Sequence, residues 1–171
     1  DSWAMGVTTV ADCGDSGAVI QALGELGASG IAYHEAFGPD PADAHVRLAA
    51  WTDRMIELRR FESARVILGA SPHAPYTVSG ELYRLVARWA RGQGMPIAVH
   101  VAEAADEVAL LRDGAGGFAE AWRHRKIPLP AAHCSPVEWL DRHGVLGPDT
   151  TAIHVIHVDG ADVTTLARRG C

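Results

Sequence analysis

The strongest constraint on the fold is an alternation of short apolar segments with amphipathic ones, repeated five times along the chain. The apolar segments lie at 6–12, 30–38, 64–71, 96–103 and 150–158. Between them apolar residues recur at helical spacing, as do Trp51, Met55 and Leu58 in the segment 43–62. Apolar strands that alternate with helices are typical of a parallel sheet covered by helices. The sequence therefore predicts an α/β fold, either a doubly wound sheet or a (β/α) barrel.

The remaining helices are predicted from periodicity and capping residues. They are expected at 16–26, 79–92, 104–112 and 159–170. The stretch 113–147 interrupts the rhythm, and we expect it to carry two short helices. The second of these should begin at "SPVE", where Ser135 can cap the helix and Glu138 can complete a capping box. No GxGxxG or Walker loop follows a strand, which argues against a nucleotide-binding sheet.

Composition excludes several classes of protein. The 171 residues fit one domain, and the net charge of −6 argues against a nucleic-acid partner. No apolar run approaches the roughly 20 residues that a membrane span requires. The three cysteines are odd in number and form no CxxC pair, as expected of a reduced cytoplasmic protein.

Both ends of the chain fall at helix–strand junctions. "DSWAMG" at 1–6 is typical of a helix end that stops at a glycine, and "LARRGC" ends where a further strand is due. We therefore expect an internal part of a longer protein, although a complete five-stranded domain remains an alternative. Five strands cannot close a barrel, so the first and fifth should be edge strands.

Titratable side chains follow four of the five predicted strands. They are His34, Glu35, His73, His100, Glu103, His154 and His157. Because the carboxyl ends of parallel strands meet at one edge of a sheet, we expect several of these groups to converge. Imidazoles beside a carboxylate are suitable ligands for Zn²⁺ or Fe²⁺.

The residues alone leave most individual roles open. His100 lies inside the apolar run "MPIAVHVAE", where an unpartnered imidazole would be costly, and this favours a metal ligand. Glu103 is either a proton shuttle beside an activated water or a solvated glutamate in the first turn of the next helix. His154 and His157 point to opposite faces of a strand, and alternation cannot choose between them. His73 either contacts substrate or closes a turn.

Four motifs together resemble the amidohydrolase superfamily. "GVTTVAD", "SPHAPYTVS", "HVAE" and "IHVIHVD…LARRG" are similar to its cytosine-deaminase and chlorohydrolase-like branch, and they span essentially the whole chain. That branch includes S-adenosylhomocysteine and methylthioadenosine deaminases, aminofutalosine deaminases, guanine deaminases and s-triazine hydrolases. The resemblance implies a partial TIM (β/α)₈ barrel, with residues 1–171 covering about strands 2–6 of a single hydrolase domain.

The resemblance also implies roles for individual residues. His100 matches the metal ligand on the fifth barrel strand, and Glu103 matches the glutamate that shuttles protons and holds a substrate ring nitrogen. His154 matches the histidine that orients the attacking water, or that binds metal in binuclear relatives. His73 matches a histidine that lines the substrate pocket. The implied cofactor is one divalent metal, Zn²⁺ first and Fe²⁺ second.

The implied reaction is hydrolytic deamination of an aminated purine-like or nucleoside-like heterocycle by a metal-activated water. Alternatives are a triazine-type hydrolase of the same fold and a non-catalytic (β/α) binding domain. A metal-independent aldolase or isomerase would place a lysine at a strand end, whereas Lys126 lies in the segment 113–147. The family's first-strand HxH and eighth-strand aspartate are absent from these residues, so we expect this chain alone to be inactive. A homodimer is expected for the full-length protein.

Overall fold

The computed structural model describes residues 2–130 and 132–171; the parts of our predictions that involve Asp1 and Ala131 lie outside the described residues. Five strands form one parallel sheet in the sequential order β1-β2-β3-β4-β5. They are β1 (Val10–Gly14), β2 (Gly30–Ala36), β3 (Val66–Pro72), β4 (Ile97–Val101) and β5 (Thr150–His154). A doubly wound sheet would reverse its order at a switch point. The strands instead form a curled half-barrel, which confirms the barrel alternative.

Seven α-helices occur in the described residues, and they follow the predicted rhythm. They are α1 (Ala18–Glu25), α2 (Ala44–Leu58), α3 (Gly80–Gly92), α4 (Ala105–Asp113), α5 (Gly116–His124), α6 (Pro136–Arg142) and α7 (Gly160–Arg169). Short 3₁₀ turns lie at Trp3–Met5, Pro41–Asp43 and Arg59–Phe61. Helices α5 and α6 are the two that were expected within 113–147. No helix among the described residues has the length and apolar character to cross a membrane.

The predicted helix caps are formed, with one correction. The Ser135 hydroxyl accepts the backbone N–H of Glu138 at 3.0 Å, as predicted. The carboxylate of Glu138, however, pairs with Arg142 at 2.6 Å, and the complete capping box lies at Asp159 and Asp162 instead. A charged partner one turn along the helix competes with the cap for the Glu138 carboxylate.

The largest differences from the predicted strand boundaries are at the start of β1 and at the end of β5. Strand β1 was expected at 6–12, yet its pairing with β2 begins where Val10 meets Gly30. The preceding residues resemble a strand in composition but have no partner in β2. Strand β5 ends at His154 rather than continuing to 158, because His154 and Val155 have left-handed backbones with φ of 72° and 55°.

The core lies between the outer face of the sheet and the helices. Leu68 and Val99 of the sheet are buried, as are Met55 of α2 and Tyr83 of α3. On the concave face, Ile67 remains 43% exposed. The helices therefore hold the strands firmly, while the concave face and its carboxyl edge remain accessible to a ligand.

Candidate active site

Three imidazole rings form a row at the carboxyl edge of the sheet. The ring centroids of His73 and His100 are 4.9 Å apart, and those of His100 and His154 are 5.2 Å apart. The carboxylates of Glu35 and Glu103 lie within 4 Å of this row. The sequential order of parallel strands produces this convergence, because neighbouring strands place their last residues side by side.

His100 occupies the centre of the row. Its Nε2 atom lies 3.6 Å from Glu35 Oε1, and its Nδ1 atom lies 3.2 Å from His154 Nε2. The neighbouring side chains of Cys13 and Glu35 raise the pKa of His100 to about 9. At neutral pH the ring therefore carries a proton, which a metal ion has to displace when it binds. His100 thus has polar partners rather than the surroundings of a core residue.

Glu103 precedes α4 and turns toward the histidines. One carboxylate oxygen, Oε2, accepts the hydroxyl of Tyr76 at 2.9 Å, and the other, Oε1, lies 3.5 Å from His154 Nε2. Burial, together with the hydrogen bond to Glu103, raises the pKa of Tyr76 far above its usual value. The phenol therefore stays protonated and fixes one oxygen of Glu103, while the second oxygen faces the site.

The backbone that carries Glu103 is held by Glu107, a residue that the sequence interpretation missed. The two carboxylate oxygens of Glu107 accept the backbone N–H groups of Ala102 at 2.8 Å and of Glu103 at 2.9 Å. Ala102 has a left-handed backbone with φ of 53°. Burial raises the pKa of the fully buried Glu107 to about 7. An acidic residue four positions after Glu103, in the first turn of a helix, was the available signal.

The structure places His154, and not His157, beside Glu103. The register partner of His154 is Val101, which is buried on the outer face of the sheet, so strict alternation would direct His154 away from the site. The alternation ends there, because the backbone turns left-handed at His154. His157 lies in an exposed depression next to Arg112 and Asp159.

His73 lies in the loop after β3 with a defined tautomer. The hydroxyl of Thr77 donates to the carbonyl of Ala74 at 3.1 Å, so its oxygen accepts a hydrogen bond from the N–H at His73 Nδ1, 2.7 Å away. Burial lowers the pKa of His73, which keeps the ring neutral. Its Nε2 atom is then an acceptor, 3.9 Å from Glu35 Oε1. A hydrogen-bond donor of a ligand can therefore bind between His73 Nε2 and Glu35 Oε1.

Glu35 and Cys13 also belong to the site. Glu35 was among the strand-end groups expected to converge, without an individual role, whereas Cys13 was missed. His34 points outward, where its Nδ1 donates to the carbonyl of Gly14 at 3.2 Å, and Glu35 therefore points inward. Donor atoms of Cys13, Glu35 and His100 lie within 4.8 Å of one another. Sulfur, carboxylate oxygen and imidazole nitrogen suit Zn²⁺, so this donor set fits a divalent metal.

The fold is that of a partial (β/α) barrel, and the site is a cluster of potential metal ligands at the carboxyl edge of its strands. The profile of the amidohydrolase family matches residues 4–171. The chain belongs to the amidohydrolase family.

Similar proteins include several deaminases. The chain is 36% identical over 155 residues to the aminodeoxyfutalosine deaminase of Deinococcus radiodurans, covering 84% of this chain and 36% of that protein. It is 30% identical over 153 residues to the 5'-deoxyadenosine deaminase of Methanopyrus kandleri, covering 90% of this chain and 32% of that protein. The chain thus spans about a third of the length of these curated relatives.

Solved structures show the same fold. The aminofutalosine deaminase of Helicobacter pylori superposes with a TM-score of 0.83 at 17% identity, covering 96% of this chain and 41% of that chain. A zinc-bound adenosine deaminase of Xanthomonas campestris superposes with a TM-score of 0.71 at 21% identity, covering 96% and 34%. These similarities confirm the fold of a partial barrel.

Proposed function

We propose that residues 1–171 are part of a single metal-dependent hydrolase barrel, and that the whole enzyme deaminates an aminated purine-like or nucleoside-like heterocycle by hydrolysis. The observation that carries this proposal is the convergence of Glu103, His154 and His100 at one point of the carboxyl edge. The deaminases among the similar proteins support the same class of reaction.

His100 is proposed as a ligand of one divalent metal, Zn²⁺ in the first instance and Fe²⁺ in the second. When bound, such an ion supplies Lewis-acid activation of a water molecule, whose pKa it lowers to about 7. The cluster of sulfur, oxygen and nitrogen donors around His100 supports the proposal. Structural neighbours that contain zinc support the choice of metal.

Glu103 is proposed as the general acid and base. Its Oε2 atom is occupied by the Tyr76 hydroxyl, which leaves Oε1 to take a proton from the attacking water and pass it to the substrate ring nitrogen. His154 is proposed to orient the water, and its distance of 3.5 Å from that oxygen supports this role. The water oxygen bonds to the amine-bearing carbon, and the first water proton stays on the ring nitrogen. The second water proton passes to the amine, the carbon–nitrogen bond breaks, and ammonia leaves.

His73 is proposed to bind the substrate. Its neutral Nε2 atom accepts an N–H or O–H group of the heterocycle or of an attached sugar. Glu103 also binds substrate through the ring nitrogen that it protonates. The substrate is then held by His73 on one side and by Glu103 on the other. Contacts on two sides fix its orientation, which attack on a single ring carbon requires.

The cellular setting of the enzyme is also a proposal. The odd, unpaired cysteines support a cytoplasmic location. The acidic net charge supports a small-molecule substrate rather than a nucleic acid. A homodimer of the full-length protein rests on the family resemblance alone.

The test is Glu103→Gln in the full-length enzyme. Ammonia release from 5'-deoxyadenosine and from aminodeoxyfutalosine would be measured, together with bound metal. We expect kcat to fall by about 10²–10⁴, the usual contribution of general acid–base catalysis, while metal content stays unchanged. The matched control is Glu120→Gln, since Glu120 is exposed on α5 away from the cluster. Loss of metal in Glu103→Gln would make Glu103 a ligand, and full activity would refute its role.

A further inference from the structure

We propose that helix α5 positions Glu103, the proposed proton shuttle, and that Phe118 of α5 is the positioning residue, acting through the ring of Tyr76. The inference deepens the proposed function, on which it rests for the role of Glu103. It also gives a task to the segment 113–147, which interrupts the alternation of strands and helices.

The rings of Phe118 and Tyr76 are stacked. Their centroids lie 4.1 Å apart, and their planes differ by only 5°. The ring of Tyr76 also contacts His73, with 5.8 Å between the centroids and an interplanar angle of 88°. Aromatic pairs prefer stacked and perpendicular geometries of this kind, so the two neighbours together favour one orientation of the phenol. In that orientation its hydroxyl donates to Glu103 Oε2 at 2.9 Å.

Trp122, one turn after Phe118 on α5, holds the backbone of Tyr76. Its Nε1 atom donates to the carbonyl oxygen of Tyr76 at 2.9 Å. The indole is buried, and a buried N–H group requires a partner of this kind. Because residues four apart share one face of a helix, a single face of α5 fixes both the ring and the main chain of Tyr76.

Helix α5 is itself fixed to α4, the helix that follows the proposed shuttle. Leu110 of α4 and Trp122 of α5 belong to one small buried cluster, against which Phe118 packs. At the junction of the two helices, the backbone N–H of Gly117 donates to Asp106 Oδ2 at 3.2 Å. This cluster is separate from the main core, so a change within it can leave the sheet intact.

The orientation of Tyr76 matters because the phenol decides which carboxylate oxygen of Glu103 is free. While its hydroxyl donates to Oε2, Oε1 remains available to the water and to the substrate ring nitrogen. Without the ring of Phe118 the phenol can turn away, and both oxygens of Glu103 then leave the reacting geometry for part of the time. The chemical step should slow while KM changes little, because Phe118 acts on the shuttle rather than on the substrate.

The experiment is a double-mutant cycle in the full-length enzyme, with ammonia release measured on the two nucleosides used for Glu103→Gln. Phe118→Ala should lower kcat roughly threefold to tenfold, the range that an aromatic pair contributes, and change KM less than about twofold. In the Tyr76→Phe background the same change should lower kcat less than about twofold, because no hydroxyl remains to be oriented. Phe118→Tyr keeps a ring at this position and should stay within about twofold of the wild-type kcat.

The matched control is Phe61→Ala. Phe61 is also partly buried, but it lies before β3 at the amino edge of the sheet and packs against the main core. Its removal should lower stability and leave kcat unchanged. Urea unfolding and metal content verify that each variant is folded and loaded. If Phe118→Ala does not fold, Phe118→Leu, which keeps apolar volume without a ring, replaces it in the cycle.

Three results would overturn the inference while the wild-type enzyme still deaminates, so that the proposed function stands. They are an unchanged kcat in Phe118→Ala, an equal fall in Phe61→Ala, and a full effect of Phe118→Ala in the Tyr76→Phe background. A change in KM alone would also overturn it, because Phe118 would then be a substrate contact.

A wild-type enzyme that releases no ammonia overturns the proposed function instead. Fluorine NMR of the 3-fluorotyrosine-labelled protein then decides whether Phe118 positions Tyr76. The signal of Tyr76, assigned as the one that is lost in Tyr76→Phe, should move in Phe118→Ala and stay in place in Phe61→Ala. A signal that does not move in Phe118→Ala overturns the positioning role.

Discussion

Glu107→Gln exchanges one carboxylate oxygen for an amide NH₂ group at a fully buried position. In the native protein both oxygens accept a backbone N–H, from Ala102 and from Glu103. They can do so at pH 5 as well, because a carboxyl oxygen that carries a proton still has a lone pair with which to accept. Glutamine can accept only one of them and turns an N–H donor toward the other. A buried donor left without a partner costs about 1–3 kcal/mol, so we expect a loss of this size in the free energy of unfolding at pH 5.

The loss should depend on pH with a definite sign. Burial raises the pKa of Glu107 from 4.5 to about 7, so between these values the folded protein binds more protons than the unfolded chain. Its contribution to stability is fully present below about pH 4.5 and is lost as the pH rises through 7. At about 1.36 kcal/mol per pKa unit the change amounts to roughly 3 kcal/mol. Glutamine does not titrate, so the gap between the two proteins should narrow as the pH rises.

Urea unfolding followed by tryptophan fluorescence at pH 5, 6, 7 and 8 measures this gap. The raised pKa of His100 affects both proteins alike and cancels in the difference. Glu120→Gln is the control, because the same exchange at an exposed position of α5 should change stability by less than about 0.5 kcal/mol. If the difference in unfolding free energy between the two proteins is constant or increases with pH, Glu107 does not hold a proton. If there is no difference at any pH, Glu107 does not fix the backbone of Ala102 and Glu103.

Two further substitutions test neighbouring features. Tyr76→Phe removes the hydroxyl that fixes Glu103. Because a hydrogen bond to a charged group contributes about 1.5–3 kcal/mol, kcat of the full-length enzyme should fall at least about tenfold with little change in KM. A change in KM alone would contradict this role of Tyr76. Gly30→Ala would bring its Cβ to 1.9 Å from the Val10 carbonyl oxygen and should destabilise the pairing of β1 with β2, whereas Gly92→Ala, which meets nothing within 4 Å, is the control. Equal urea midpoints for these two variants would argue against that close approach.

The rhythm of strands and helices could be predicted because it is written in local patterns. The apolar periodicity around Trp51 and the capping residue Ser135 indicate helices whatever the rest of the chain does. The predicted positions of β2, β3, β4 and β5 were close to the observed ones, because apolar runs are local patterns too. Strand β1 was misplaced because its limits depend on where β2 offers hydrogen bonds, which residues 6–9 do not reveal.

The candidate site was predictable only in part. His100 and Glu103 stood out because polar groups at the end of an apolar strand require a reason. Glu107 was missed because a glutamate in a first helical turn looks like a solvated residue until its backbone partners are seen. Cys13 was missed because it becomes a neighbour of His100 only through the register of strands that are far apart in sequence.

By itself the sequence determined the α/β class, the helical segments and the gathering of titratable groups at one edge, since these follow from periodicity and from the direction of parallel strands. Only the tertiary structure decided that Glu35 faces inward while His34 faces outward, and how His154, which the family resemblance had matched to the site, reaches Glu103. Both outcomes depend on strand register and on where a strand ends, and these are set by hydrogen bonds to another part of the chain.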